Sequence, residues 1–260
     1  MMRGFLAGLA MLASTAPAAA DSALDALIAA YPDHLAAYEN NDLVFKDGTR
    51  LPIDDGIRGK AFDRLLDDPD IKDQFAIAYR LGTDGLKPPA VNEDPGRIRN
   101  QALFVKMYGD CRKGEVKGRM RAVPWLPGRG GGTVMVTTVN GVADQLAKVS
   151  RDLEKLPQDM TQYLVPSSGT FNCRVIAGTR RLSVHAYGAA IDLNARFGDY
   201  WQWAKAKGGT IAWKNRIPLE IVEVFERHGF IWGGKWYHYD SFHFEYRPEL
   251  IALAKRGWPK

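Results

Sequence analysis

Three of the five histidines in the chain fall within nineteen residues, HGFIWGGKWYHYDSFHFEY, 228–246. A core strand would use the aromatic residues of this stretch but not its imidazoles. A metal site would use imidazoles and a carboxylate, and would need further ligands from elsewhere. In DSFHFEY the alternation predicts a strand with His243 and Glu245 on one face and Phe242, Phe244 and Tyr246 on the other. Upstream, GAAIDLN reads as a short buried strand in which Asp192 is the anomaly, because an unpartnered charge is costly there. His185 precedes Asp192 by seven residues, across the glycine-containing bend AYGAA. A loop histidine and a strand aspartate can therefore converge from one side.

His185, Asp192 and His243 make three protein ligands and leave a fourth tetrahedral position for water, the arrangement of a catalytic zinc site. Zinc lowers the pKa of bound water from about 15.7 to about 7. Asp240, three residues before His243, stands where a non-ligand carboxylate can take the water proton and return it to a leaving amine. Glu245 reads as a group that orients a ligand. His238, five residues before His243, falls on the opposite face under regular alternation and ranks low as a ligand or substrate contact. His228 closes a helix, where a cation complements the dipole. His34 reads as a surface or packing residue. Trp232 and Trp236 are either core or cleft wall.

These residues need elements to place them. RAVPWL and TVMVTTV around PGRGGG predict a hairpin with a long tip. NGVADQLAKVSRDLEKLP predicts an amphipathic helix, with Val142, Leu146, Val149, Leu153 and Leu156 on one face and Pro157 as its stop. PLEIVEVFERHGF predicts a helix that begins near Pro218 and ends at Gly229. Hairpin, helix, strand, helix and strand in that order predict a small α+β domain, an antiparallel sheet with flanking helices. DSALDALIAAYPDHLAAYENNDLVF predicts two helical pieces broken at Pro32, and 46–112 is punctuated, irregular and partly helical.

Two motifs carry a resemblance. SVHAYGAAID fits S-x-H-x-x-G-x-A-x-D, and WGGKWYHYDSFHFE fits W-G-G-x-W followed by D-x-x-H-F-E. Together they resemble the zinc D-alanyl-D-alanine carboxypeptidase and L-alanyl-D-glutamate endopeptidase family of peptidoglycan metallopeptidases, related to the D-Ala-D-Ala dipeptidases and the hedgehog signalling domain. The resemblance covers roughly 115–250. It implies one zinc ion on His185, Asp192 and His243, Asp240 as the catalytic acid and base, and an upstream arginine for the oxyanion or substrate. Arg174, Arg180 and Arg181 are available, and Arg174, beside Cys173, is the first choice. Ser183 is expected to support the His185 loop. The implied substrate is a peptidoglycan stem peptide cut next to a D-amino acid, most readily as a D-alanyl-D-alanine carboxypeptidase. The alternatives are an L-Ala-D-Glu endopeptidase of the same family, a non-catalytic zinc module that binds cell wall or a partner, and a hydrolase using Cys173.

Composition bounds these readings. MMRGFLAGLAMLASTAPAAA has a basic start, a short apolar core and small residues at Ala18 and Ala20, which predicts a signal peptide cut after Ala20. The expected divisions are the leader 1–20, an accessory region 21–114 and a zinc peptidase domain 115–260. The chain has 35 basic and 30 acidic residues, and removing Arg3 with the leader leaves a net charge of +4. That mild excess suits an anionic wall polymer and not a nucleic acid. No later apolar run reaches membrane-spanning length. An exported, periplasmic monomer is expected, with Cys111 and Cys173 as a candidate disulfide.

Overall fold

The structure is a computed structural model that describes residues 22–204 and 210–258. The leader expected over 1–20 lies outside the described residues. The chain opens with α1 (Ser22–Ala30), then β1 (Leu35–Glu39), β2 (Asp42–Phe45) and β3 (Arg50–Pro52), which form an antiparallel sheet in that order. Two short helices follow, α2 (Phe62–Asp67) and α3 (Gln101–Tyr108). Next come the hairpin β4 (Met120–Pro124) and β5 (Thr133–Thr137), then α4 (Val142–Leu153) and α5 (Thr161–Leu164). The last part runs β6 (Ala190–Asp192), α6 (Leu219–Arg227), β7 (Phe230–Trp232), β8 (His243–Tyr246) and α7 (Pro248–Arg256). The α+β class, the 120–137 hairpin and the helices over 142–153 and 219–227 match the sequence expectation.

Three elements differ from it. The segment after Pro32 is not helical but forms β1 and β2. Asn40 and Asn41, both with positive φ, make the tight turn between them, a conformation asparagine tolerates. The strands win because Leu35, Leu43 and Phe45 bury against α1 and α3 residues in the core. β7 interposes between α6 and β8, where IWGGKWY shows little alternation. α7 has Pro248 and Glu249 in its first turn and Lys255 and Arg256 in its last, signals that favour a helix but sit in a short C-terminal run.

The sheet that matters for function is β6-β8-β7, antiparallel throughout. Its register sets Asp192 opposite His243, Ile191 opposite Phe244, and Trp232 opposite Phe244 on the second side. Period two then sends Ile191, Phe244 and Trp232 into the core, all wholly buried, while Asp192, His243 and Glu245 share the other face. Phe244 stacks on Phe225 of α6, ring centroids 3.9 Å apart, and α6 lies against α4. One continuous hydrophobic cluster runs from Leu24 and Leu27 of α1 through Phe104 of α3 to Leu250 of α7. The segment 22–114 therefore shares its core with the motif-bearing segment.

Polar contacts reinforce that union. Tyr79 donates to Glu226 on α6 at 2.6 Å, and Lys235 ion-pairs with the same carboxylate. Gly96 has φ +92, and a Cβ there would lie 2.3 Å from Ile231 Cδ1, so only glycine lets the 93–99 segment reach β7. Phe244→Ala, which empties the centre of this packing, is expected to destabilise the fold by about 3–5 kcal/mol in urea denaturation. A loss below about 1 kcal/mol would show that the sheet is not the keystone of the core.

Candidate metal centre and cleft

The β6–β8 register supplies two of the three converging groups. Asp192 Oδ1 lies 2.9 Å from His243 Nδ1 because the residues are direct cross-strand partners. His185 comes from a 3₁₀ turn, Val184–Tyr187, ended by Gly188 at φ +69. A Cβ on Gly188 would meet Met120 Cε at 2.8 Å and Thr137 N at 3.0 Å, while the Gly188 carbonyl accepts from Thr137 N. The 120–137 hairpin thus seats the turn and aims His185 at the sheet. His185 Nε2 lies 3.2 Å from His243 Nδ1 and 3.2 Å from Asp192 Oδ1. The ligand atoms of His185, Asp192 and His243 all fall within 4.8 Å of one another.

The outer contacts settle which nitrogens face the cluster. His185 Nδ1 is 2.6 Å from the Thr170 carbonyl, which accepts its proton and leaves Nε2 with a lone pair. His243 Nε2 is 3.2 Å from Glu245 Oε2 and Nδ1 is 2.9 Å from Asp192 Oδ1, so the protonated ring donates to a carboxylate on each side and Nδ1 is the nitrogen that faces the cluster. Two imidazole nitrogens and a carboxylate oxygen then point at one spot. The surrounding charge asks for a cation there. Burial works against the charge on His243, yet the flanking Asp192 and Glu245 carboxylates hold it up at about 10. Burial likewise opposes ionisation of Glu245, but Arg99 and His243 hold it down at about 2. Asp192, against its burial, is held below the usual carboxylate range by both histidines. The donor set and its field fit a divalent cation.

Asp240 stands beside the cluster in the same cleft, a cavity of about 140 Å³ that His185, Asp192 and His243 also line. Its backbone is fixed by Gly233, whose carbonyl accepts from Asp240 N at 3.0 Å, and by His243 N, which donates to the Asp240 carbonyl at 3.1 Å. Its Oδ1 is buried without a hydrogen-bond partner among the described residues. Burial, aided by the Asp192 charge, pushes Asp240 up to about 7 against the pull of His243 and the nearby arginines. A carboxyl poised near neutrality can both accept and return a proton.

Arg174 also lines this cleft, whereas Arg180 and Arg181 line a neighbouring cavity. A short antiparallel loop places it, with Val175 bridged to Leu182 and Ser183 N donating to the Arg174 carbonyl at 3.1 Å. Cys173 is disulfide-bonded to Cys111, Cα atoms 5.7 Å apart, which pins the base of that loop to the turn after α3. The pairing leaves no thiol for a cysteine nucleophile. Ser183 is buried and acts through its backbone, accepting from Ala186 N at 2.9 Å. Trp236 lines the cleft, 5.6 Å from the His243 ring, whereas Trp232 is wholly core. His238 lines the cleft too, but its Nδ1 is engaged by Asp94 Oδ2 at 2.6 Å and it lies outside the donor cluster. His228 caps α6 and reaches Asp152 Oδ2 at 2.7 Å.

Sequence reasoning missed Asp94, Arg97 and Arg99. Asp94 is fully buried and holds both the His238 ring and its backbone N. Arg97 lies over the Trp236 ring at 5.7 Å, and Arg99 is 3.3 Å from Glu245 Oε2. Their segment reads as loop, and no local spacing ties it to a strand some 140 residues later.

Residues 177–246 match the family described as D-alanyl-D-alanine carboxypeptidase. No curated protein and no solved structure matches the chain. The matched residues include both motifs, and over them the resemblance to that peptidase family holds. Thr170, Arg174 and the 94–99 segment lie outside the match. Glu245→Gln keeps the shape of the outer contact but weakens its pull on His243, so affinity for an added divalent cation, with zinc as the probe, should fall about 10–100-fold in a chelator competition. Unchanged affinity in a folded variant would remove Glu245 from the orienting role.

Proposed function

We propose that this protein is a zinc-dependent peptidoglycan peptidase of the D-alanyl-D-alanine carboxypeptidase type. The observation that carries the reading is the convergence of His185 Nε2, Asp192 Oδ1 and His243 Nδ1 in a cleft that also holds Asp240. Two nitrogens and one carboxylate oxygen suit zinc with an open position, and a zinc ion held by these three residues would supply an activated water and a polarised carbonyl. The chain's own groups do the rest. Asp240, drawn up toward neutrality, takes the proton of the attacking water and delivers it to the leaving amine. Arg174, exposed in the cleft wall and without an ion pair among the described residues, offers its guanidinium to the developing oxyanion or to the terminal carboxylate of the leaving D-amino acid. Trp236 forms an apolar wall beside the reacting centre.

The carboxypeptidase type is favoured over the endopeptidase by the description of the matched family and by the free guanidinium of Arg174, which suits a chain end. The disulfide, and the fact that no described helix is long and apolar enough to cross a membrane, fit an exported protein acting on the cell wall.

Asp240→Ala should lower kcat by about 10²–10⁴-fold while zinc content, read by metal analysis, stays at one per chain. Full activity in that variant would sink the mechanism. Mass spectrometry of digested pentapeptide muropeptides should show loss of a single D-Ala. Release of L-Ala ends instead would assign the endopeptidase reaction.

A further inference from the structure

The cleft continues into a second cavity. This one, about 330 Å³, shares Arg97 and Arg99 as a common wall with the cleft and adds Arg180 and Arg181. Four guanidiniums therefore line it, against the carboxylates of Asp67 and Asp68. The acids that could neutralise them are committed elsewhere. Asp94, the partner of Arg97 at 2.8 Å, also holds His238. Glu245, the partner of Arg99 at 3.3 Å, also serves His243 and Arg247. Arg181 has Asp67 at 2.9 Å, but that carboxylate is 64% exposed and its pull is screened. Arg180 has no ion pair among the described residues and is exposed.

Like charges held this close oppose one another. Burial holds Arg99 below the ordinary arginine range, with Glu245 opposing it and the guanidiniums of Arg247, Arg181 and Arg97 adding to it. Burial does the same to Arg181, with Arg97 adding to it and Asp67 opposing. A concave space lined by four guanidiniums and two carboxylates is complementary to a carboxylate, which a guanidinium fork can bind at two oxygens.

We propose that this second cavity is an anion subsite of the peptidase cleft, and that it takes a carboxylate carried by the same peptide whose scissile bond lies at the His185–Asp192–His243 cluster. The inference rests on the peptidase reading and specifies its substrate as an acidic peptide. It also gives the 94–99 segment a function. Arg97 and Arg99 join the two cavities, so a carboxylate seated beside them on Arg180 and Arg181 fixes where the rest of the peptide falls in the cleft. Stem peptides contain such a group, the free α-carboxylate of a γ-linked D-glutamate, and its amidation removes the charge without changing the peptide's length.

The test uses the full chain, zinc-loaded, as the Asp240→Ala variant so that bound peptide is not consumed. Isothermal titration compares L-Ala-γ-D-Glu-L-Lys-D-Ala-D-Ala with the same peptide amidated at the glutamate α-carboxyl. The acidic peptide should bind about tenfold or more tightly, and adding Arg180→Gln and Arg181→Gln should bring the two affinities together. Arg180→Gln alone, at an exposed position, should erase part of the difference and guards against a double variant that misfolds. Equal affinities, or a difference that survives in the double variant, would overturn the subsite. Digestion of the amidated peptide by the unmutated protein reports on the peptidase reading separately, since that peptide does not engage the proposed subsite.

Discussion

The cross-strand pairing of Asp192 with His243 is the constraint on which the rest of the structure turns. It puts a buried imidazole and a half-buried carboxylate at hydrogen-bond distance on the cleft face of the sheet. Removing one partner of such a pair is destabilising because the survivor loses a compensating charge. The compensation extends outward from His243. Glu245 takes its other nitrogen, Arg99 and Arg247 hold Glu245, and Glu249 holds Arg247 at 2.5 Å. Tyr31, in the turn after α1, closes the chain of contacts by donating to Glu249 at 2.6 Å. A local requirement for charge balance thus becomes a network that spans the molecule.

That network explains why the N-terminal segment packs as it does. The 93–99 segment runs along 236–247 and satisfies groups that the cleft would otherwise leave open. Glu93 accepts from Tyr237 N at 2.9 Å, Pro95 from Trp236 Nε1 at 2.7 Å, and Gly96 from Arg247 Nη1 at 2.6 Å, all through backbone carbonyls. Asp94 and Arg99 supply the charged contacts to His238 and Glu245. Buried donors are expensive when unmatched, so these contacts hold the segment in one register against the cleft. Arg97 and Arg99 are then wall residues by necessity of backbone position, each paired with an acid while lining the cleft.

How far this was legible in the sequence follows from the range of each contact. The period of two in DSFHFEY and the seven-residue step from His185 to Asp192 are local constraints, and they placed the strand faces and the converging groups. The apolar spacing of α4 and the Pro218 and Gly229 boundaries of α6 are local as well. The Asn40–Asn41 turn was also local, but its signal was outweighed by the alanine-rich text around it, and the strands became visible only with the core they bury against. Asp94, Arg97 and Arg99 had no local signature at all. Their partners are Trp236, His238 and Glu245, and only tertiary packing brings them together.

This division has a physical consequence for how such a cleft can vary. The donor cluster depends on short-range geometry: one strand register, one tight turn and one glycine that a Cβ would force apart. Those features admit few alternatives, so the donor cluster is fixed by its motifs. The walls depend on long-range contacts from a loop-rich segment and on the disulfide-pinned 173–183 loop. Changes at the exposed Arg174 or Arg180 alter the charge presented to a ligand while leaving the Asp192–His243 pairing intact, whereas Arg99 also holds Glu245 and is tied to that pairing. The donor cluster belongs to the 185–245 motifs, and the arginines of the proposed subsite are brought to its edge by other parts of the chain.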